Sequence, residues 1–422
     1  MKKGLMLVFC LFIATTIIVP GKAVLAQPLR IGTLFPFSGP IALYGNWCYQ
    51  GVLIASEIIN DRGGLFGGKK IELVKGDAVD PKAAVTEVTR LITYENLPII
   101  IGTFSSPRAV PASEVANRYK RIYWEVGAEA ERITGRNLDY VFRPFNRSSD
   151  KAKPPVEYLI NHVAPSLKKD AKDLRIGIIF EQGDWGTDTS NAFMERAKQE
   201  GLKIVMALSH DTASLDFSSD IMRVKASKVD FLFTPTYLET IGVFWRQAKE
   251  LGLNVPGGTC GSGTVDGLHK IIKGPDVDYW LDCEGPSIIN PDFLQPKPRE
   301  NLFELRKRWK AKFNEDVVPY IAYLGFGHSM TLFENVLPRA GSLDSEAVRK
   351  AAMATDIPEG GTTLAHGVKF YPPGHPQQGQ NERSWAVLTQ YQSQKMATAW
   401  PPKVATTKPW CPVPTWEERA KK

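Results

Sequence analysis

The chain contains no HExxH, no GxSxG and no GxxxxGK[ST], so zinc-protease, nucleophile-elbow and P-loop chemistry have no motif to stand on. Gly261-Ser262-Gly263-Thr264-Val265-Asp266-Gly267 misses GxGxxG by one position and lacks the setting that opens a βαβ unit. Histidine is scarce, and His162, His210, His269, His328, His366 and His375 are scattered without metal-ligand spacing. Five cysteines occur without a CxxC, which argues against a redox motif or a thiolate zinc site. Charge is not segregated either. The 52 Lys and Arg are interleaved with 45 Asp and Glu, which describes a solvated surface and not a nucleic-acid stripe. These gaps point away from an enzyme: no catalytic residue, metal or cofactor is expected.

A long apolar run is missing as well. Leu5 to Val19 is interrupted only by Thr15 and Thr16, and it is too short to span a membrane. Lys2 and Lys3 precede it and Val24-Leu25-Ala26 follows, the arrangement of an export leader cleaved after Ala26. The competing reading is a retained membrane anchor. No Cys follows the junction to carry a lipid, so a soluble periplasmic protein beginning at Gln27 is expected. Removing the leader with Lys2, Lys3 and Lys22 lowers the formal charge of +7 by three, to +4. The 422 residues less 26 leave 396, too many for one ordinary core and suited to two domains.

Export permits disulfides. Cys260 and Cys283 lie near each other in sequence, in or beside predicted strands, and form the favoured pair, with Cys48 and Cys411 left over. Four cysteines allow three pairings, and sequence does not choose among them.

What is present is one repeated unit: a short apolar strand, a loop of small residues and an amphipathic helix. Arg30 to Phe35 is the first strand, with a helix from about Tyr44 to Asn60 that ends at Gly63-Gly64. Lys70 to Lys75 is the second, followed by a helix that Asp80 caps and Pro81 opens. Pro98 to Ile101, Arg121 to Val126 and Tyr140 to Arg143 complete the set. Strands alternating with such helices predict a parallel sheet. The pattern restarts at Arg175 to Phe180, with strands at Lys203 to Ser209, Phe231 to Thr234 and Tyr279 to Cys283. The intervening helices fall near Trp185 to Gln199 and Leu238 to Leu251. Gly285-Pro286 reads as a return crossover, and helices then follow at about Asn301 to Phe313, Tyr320 to Leu337 and Ser345 to Ala354. The expectation is α/β, with two doubly wound parallel-sheet lobes joined by hinge crossovers. Lobe 1 takes residues 27–145 and 286–370, lobe 2 takes 146–285 and 371–395, and 396–422 is a Pro- and Trp-rich tail, either a strap or a disordered end.

The loops at the strand ends are Phe35-Pro36-Phe37-Ser38-Gly39-Pro40, Asp77-Ala78-Val79-Asp80-Pro81, Gly102-Thr103-Phe104-Ser105-Ser106 and Gly127-Ala128-Glu129. Open α/β sheets bind small molecules at such loops. Their order and spacing over about Leu29 to Tyr391 resemble the periplasmic leucine/isoleucine/valine-binding family, the solute-binding proteins of ABC importers with a type I periplasmic binding fold. The resemblance implies capture of a branched-chain or other hydrophobic amino acid, or a related small carboxylate, between the lobes. It further implies delivery to a membrane permease, with no nucleic-acid partner and a monomeric state.

The resemblance also carries a candidate site. Ser105 and Ser106 open a helix whose first amides attract an anion, and Ser106 falls on the family's carboxylate-binding serine. The plainer alternative is a helix cap. Arg108 departs from the pattern and either adds charge to the site or faces solvent. Gly127 and Ala128 keep the small pair whose backbone meets the ligand, while Glu129 replaces a Thr. It either pairs a ligand ammonium, pairs Arg108, or is a surface residue near a helix start. Glu125 and Glu129 are close in sequence, but paired carboxylates alone are common on solvated loops and are no sign of acid–base chemistry. Trp185 falls on an aromatic lid, Tyr237 on a second ligand-facing Tyr and Tyr44 on the side-chain pocket. The family's acidic ammonium partner falls near Gly261-Ser262, where no carboxylate exists. Either Glu129 takes over, or the ligand has no α-ammonium, and amides, urea-like compounds and aromatic acids become alternatives. A ligand sensor of the same fold, docking on a signalling protein, is the other functional class.

Overall fold

The computed structural model describes residues 27–421 apart from 260–263 and 287–288. In chain order the first half runs β1 (Leu29–Phe35), α1 (Ala42–Asp61), β2 (Ile71–Asp77), α2 (Pro81–Thr93), β3 (Ile99–Gly102), α3 (Ser106–Arg118), β4 (Ile122–Glu125) and β5 (Val141–Phe142). These strands form one parallel sheet in the order β2-β1-β3-β4-β5. Helical turns α4 (Lys153–Tyr158) and α5 (Ala164–Ser166) lead into β6 (Arg175–Glu181), α6 (Asp184–Gln199), β7 (Lys203–His210), α7 (Ser218–Ala226), β8 (Phe231–Phe233), α8 (Leu238–Glu250), α9 (Thr264–Ile271) and β9 (Leu281–Glu284). The chain then adds α10 (Pro296–Phe313), α11 (Tyr320–Thr331), α12 (Leu337–Ala340), α13 (Ser345–Met353) and the small hairpin β10 (Asp356–Ile357) with β11 (Val368–Lys369). It closes with β12 (Val387–Gln392), β13 (Lys395–Trp400) and α14 (Trp416–Ala420).

The first sheet is buried on both faces, which is why its strands are continuously apolar. Ile99 and Ile101 point to one face, with Val52 of α1 and Phe326 of α11 in the same core. Ile100 points to the other, toward Val88 and Val110 of α2 and α3. Glycine lets α1 and α11 approach closely. A Cβ on Gly51 would lie 2.0 Å from the Ala322 carbonyl oxygen, and one on Gly325 would lie 2.0 Å from that of Cys48. Asp80 accepts from the Ala83 N–H, the cap that its sequence position predicts.

The second half is not purely parallel. β7-β6-β8 is parallel, and single bridges Leu232–Gly258 and Thr259–Leu281 carry the sheet on to β9. There β12 and β13 add antiparallel strands. The tail therefore does not begin at 396: residues 395–400 form β13, and the chain beyond lies over the second sheet. Trp416 donates to the Leu253 carbonyl, and the buried Arg419 guanidinium stacks on its indole at 3.8 Å. No described helix is long and apolar enough to cross a membrane.

The favoured Cys260–Cys283 pairing lies outside the described residues. Cys283 is a free buried thiol whose Sγ donates to the Lys151 carbonyl. The leftover pair is not formed. Cys48 is buried in the α1 core, whereas Cys411 sits 3.2 Å from Ser166 Oγ.

Candidate functional site

In a sheet of order β2-β1-β3-β4-β5 the chain reverses direction between β1 and β3, and ligands bind beyond the carboxyl ends of the strands at that point. The segment after β3 carries Phe104, Ser105 and Ser106, and the segment after β4 carries Gly127, Ala128 and Glu129. Facing them across a gap are Trp185 in the first turn of α6 and Tyr237 at the start of α8.

Among the described residues, hydrogen bonds cross that gap. Trp185 Nε1 donates to Glu129 Oε2 at 2.6 Å, Tyr44 Oη donates to Glu239 Oε2 at 2.8 Å, and the Glu131 N–H donates to Asp188 Oδ2 at 3.0 Å. Behind them lie two adjoining cavities with empty volumes of about 280 and 310 Å³. Phe104, Ser106, Gly127, Glu129, Trp185 and Tyr237 are all in the wall of the larger one. Trp185 also lines the smaller, and its ring centroid is 5.1 Å from that of Tyr237.

Two serines have roles other than capping. Ser105 is the N-cap residue but makes no side-chain cap bond, and its Oγ accepts from Arg108. Ser106 Oγ accepts the N–H groups of Glu129 and Ala130 at 3.2 and 3.1 Å. A hydroxyl that accepts twice still has its own proton to give. Ser105, Ala128 and Tyr44 do not line either cavity. Tyr44 instead stacks behind Phe104 with centroids 5.3 Å apart. Arg108 neither enters the site nor faces solvent. Its guanidinium donates to the carbonyls of Ala78 and Val79 and ties the loop after β2 to α3.

The expectation for the Gly127–Ala128 backbone needs correction. Both N–H groups are occupied, donating to Glu125 Oε1 at 2.9 and 2.8 Å. Glu125 is wholly buried and not on a solvated loop. Its carboxylate also accepts from the N–H groups of Thr103, Phe104 and Val126 and from Tyr123 Oη. Burial raises its pKa, against the pull of those N–H bonds. One internal anion thus shapes the loops after β3 and β4 together. Arg143, also buried, holds the carbonyl side of the second loop by donating to Ala128 and Ala130 oxygens.

Two further charged residues stand at the base of the cleft. Lys151 Nζ lies 2.8 Å from Glu129 Oε1 and 2.5 Å from Glu284 Oε2. The three side chains are only 3–4 % exposed. Burial opposes the Lys151 charge, but the two carboxylates outweigh it and raise its pKa. Glu129 is pushed up to about 7, by burial first and by Glu284, with Lys151 pulling the other way. Glu284 Oε1 has no hydrogen-bond partner among the described residues, and Glu284 lines both cavities. The Gly261–Ser262 position, where the ammonium partner was sought, lies outside the described residues. Lys151 lies on the first crossover and Glu284 closes β9 just before the second, places where periodicity gives no guide to what a side chain meets. The available signal was a charge closing the strand Leu281-Asp282-Cys283-Glu284 just before Gly285-Pro286. Among the described residues, no group of three or more His, Cys, Asp or Glu is arranged to hold a metal ion.

The sequence profile of the periplasmic binding protein family matches residues 28–391. The chain belongs to that family. A Leu/Ile/Val-binding protein homolog 7 from Brucella suis is 35 % identical over 400 residues, covering 91 % of this chain and 94 % of its own. Among solved structures, the branched-chain amino acid transporter substrate-binding protein LivJ of Streptococcus pneumoniae, in complex with isoleucine, superposes with a TM-score of 0.72 at 20 % identity. That match covers 88 % of this chain and 98 % of LivJ. A solute-binding protein of an ABC transporter from R. palustris, in complex with 4-hydroxybenzoate, gives 0.67 at 18 % identity and covers 93 % and 99 %. Membership fixes the architecture as that of a type I periplasmic binding protein, a solute-binding protein of the ABC-transporter type. Relatives with the same fold hold chemically different guests, so the fold does not name this chain's solute.

Proposed function

We propose that this protein is exported to the periplasm and freed of its leader after Ala26. There it captures a small solute with an apolar body, such as a branched-chain or other hydrophobic amino acid, and hands it as a monomer to the permease of an ABC importer. The observation that carries this reading is the Trp185–Glu129 bond, which draws an indole from one sheet onto a carboxylate from the other over a cavity walled by aromatic rings. Closure around a guest converts differential contact into a population shift, and the closed form is what a permease can recognise. The residues we assign to the guest are Ser106, Gly127, Glu129, Trp185 and Tyr237, and to them we add Phe104 and Glu284 from the same cavity wall. Aromatic acids and amides are the second reading, favoured by the ring-rich wall.

A thermal-shift screen with branched and aromatic amino acids, amides, urea and benzoate-type acids tests this directly. A ligand bound only by the folded protein raises Tm by mass action. One class should do so, and deletion of the gene should abolish uptake of that compound. Chemical turnover of the compound by the purified protein would contradict the reading. Ser106→Ala is expected to weaken binding of any carboxylate-bearing ligand by roughly 1–3 kcal/mol, the worth of a charge-assisted hydrogen bond. Unchanged affinity in a calorimetric titration would remove Ser106 from the site.

A further inference from the structure

The head group that the cleft selects is written in its charges. Among the described residues, the larger cavity is walled by four aromatic residues, Phe104, Trp185, Tyr237 and Tyr320, and its charged lining residues are Glu129 and Glu284. Lys151 lines the smaller cavity instead, behind Trp185, with Nζ 5.8 Å from that ring's centroid. With both glutamates ionised, two buried carboxylates face one ammonium and the cluster is one positive charge short. Both Glu129 oxygens are partnered, by Lys151 and Trp185, so the open valence is the buried Glu284 Oε1.

The other end of the cleft is poor in donors for an anion. The Gly127 and Ala128 N–H groups are held by Glu125. The Arg108 guanidinium is held by Ala78, Val79 and Ser105. Among the described residues of the wall the hydroxyls of Ser106 and Tyr237 remain, and both are neutral donors. Aromatic faces joined to carboxylates in a desolvated pocket are the physical recipe for an organic cation, because ring quadrupole and carboxylate act in the same direction.

We propose that the cleft recognises its solute by a cationic nitrogen, a small organic amine on an apolar or aromatic body, seated among the four rings with an N–H directed at Glu284 Oε1, and that a carboxylate on the solute is dispensable. The proposal rests on the reading that this cleft is the solute site. An amino acid is then held by its ammonium first, and its decarboxylated amine fits at least as well.

Two matched series test this by thermal shift and calorimetry on the purified exported protein. The first is leucine, isopentylamine and 4-methylpentanoate; the second is phenylalanine, 2-phenylethylamine and 3-phenylpropanoate. In at least one series the amine should raise Tm no less than the amino acid, and the acid should leave it unmoved. Glu284→Gln should weaken the amine about tenfold or more. Glu129→Gln, which keeps an acceptor for Trp185, should weaken amines in the same direction. Binding of an acid without its amine, or amine binding indifferent to both variants, overturns the proposal. If neither series binds while benzoate or acetamide does, the cationic head is refuted and solute capture stands. If no compound binds, both are refuted.

Discussion

Glu125→Ala is expected to lower the free energy of unfolding by at least about 3 kcal/mol. This carboxylate accepts five backbone N–H groups and the Tyr123 hydroxyl, all in the dry space beyond β3 and β4. Its removal strands the N–H groups of Thr103, Phe104, Gly127 and Ala128, while the Val126 N–H keeps the Gly102 carbonyl as an acceptor; each unsatisfied buried group costs about 1–3 kcal/mol, reduced where water enters the vacated space. Glu125→Gln retains an acceptor but replaces a charged partner by a neutral one, so it should fall between the alanine variant and the parent. Urea denaturation followed by far-UV circular dichroism measures both. A loss below about 1 kcal/mol in the alanine variant would mean that the two loops hold their shape without the carboxylate. The same variant exposes a trade in the fold, since the amides of Gly127 and Ala128 serve Glu125 and are withheld from a guest.

Lys151→Met should have an effect of similar size, a loss of about 3–5 kcal/mol, because it leaves Glu129 and Glu284 buried without their shared cation. The cost is expected to fall sharply in a Glu129→Gln, Glu284→Gln background, where no anion is stranded. The size of that rescue measures the coupling within the triad. If Lys151→Met costs the same in both backgrounds, lost packing and not charge is the cause.

The sign of the pH dependence also follows. Glu129, facing Lys151, Glu284 and Trp185, titrates in the folded protein at about 7, above its ordinary value of 4.5. A group whose pKa is raised by folding contributes stability at pH values below its unfolded pKa, and that contribution is lost as pH climbs through the folded value. The parent should therefore lose this part of its stability between about pH 4.5 and 7. Without Lys151, Glu129 loses the cation that lowers its pKa, and the loss should continue to higher pH. Denaturation midpoints across that range in parent and Lys151→Met check the direction.

The strand–helix alternation of Leu29 to Phe142 was legible in the sequence because each of those elements is local. Apolar runs such as Ile99-Ile100-Ile101 need only their own composition to read as buried strand, and Asp80-Pro81 announces its helix without tertiary help. The antiparallel addition of β12 and β13 was not legible, because strand direction depends on which edge the returning chain meets. In the cleft, the resemblance to the family pointed to Ser106, Glu129 and Trp185, and all three are in the wall of one cavity. What they touch was not legible. Lys151 and Glu284 are 133 residues apart and meet only because both crossovers pass the cleft's base. The occupation of the Gly127 and Ala128 amides was hidden for a related reason: Glu125 looked like one of two acidic residues on a loop, and only its total burial turns it into an internal ligand for the backbone.

The central claim is that a guest sits between the two sheets under the Trp185 indole. Calorimetric titration of the strongest ligand from the thermal-shift screen into Trp185→Ala and the parent tests it most directly. The account predicts one ligand per chain for the parent and an affinity roughly 1–4 kcal/mol weaker for the variant, about tenfold to several-hundredfold in Kd. Equal affinity in a folded Trp185→Ala protein would place the guest elsewhere and contradict the account.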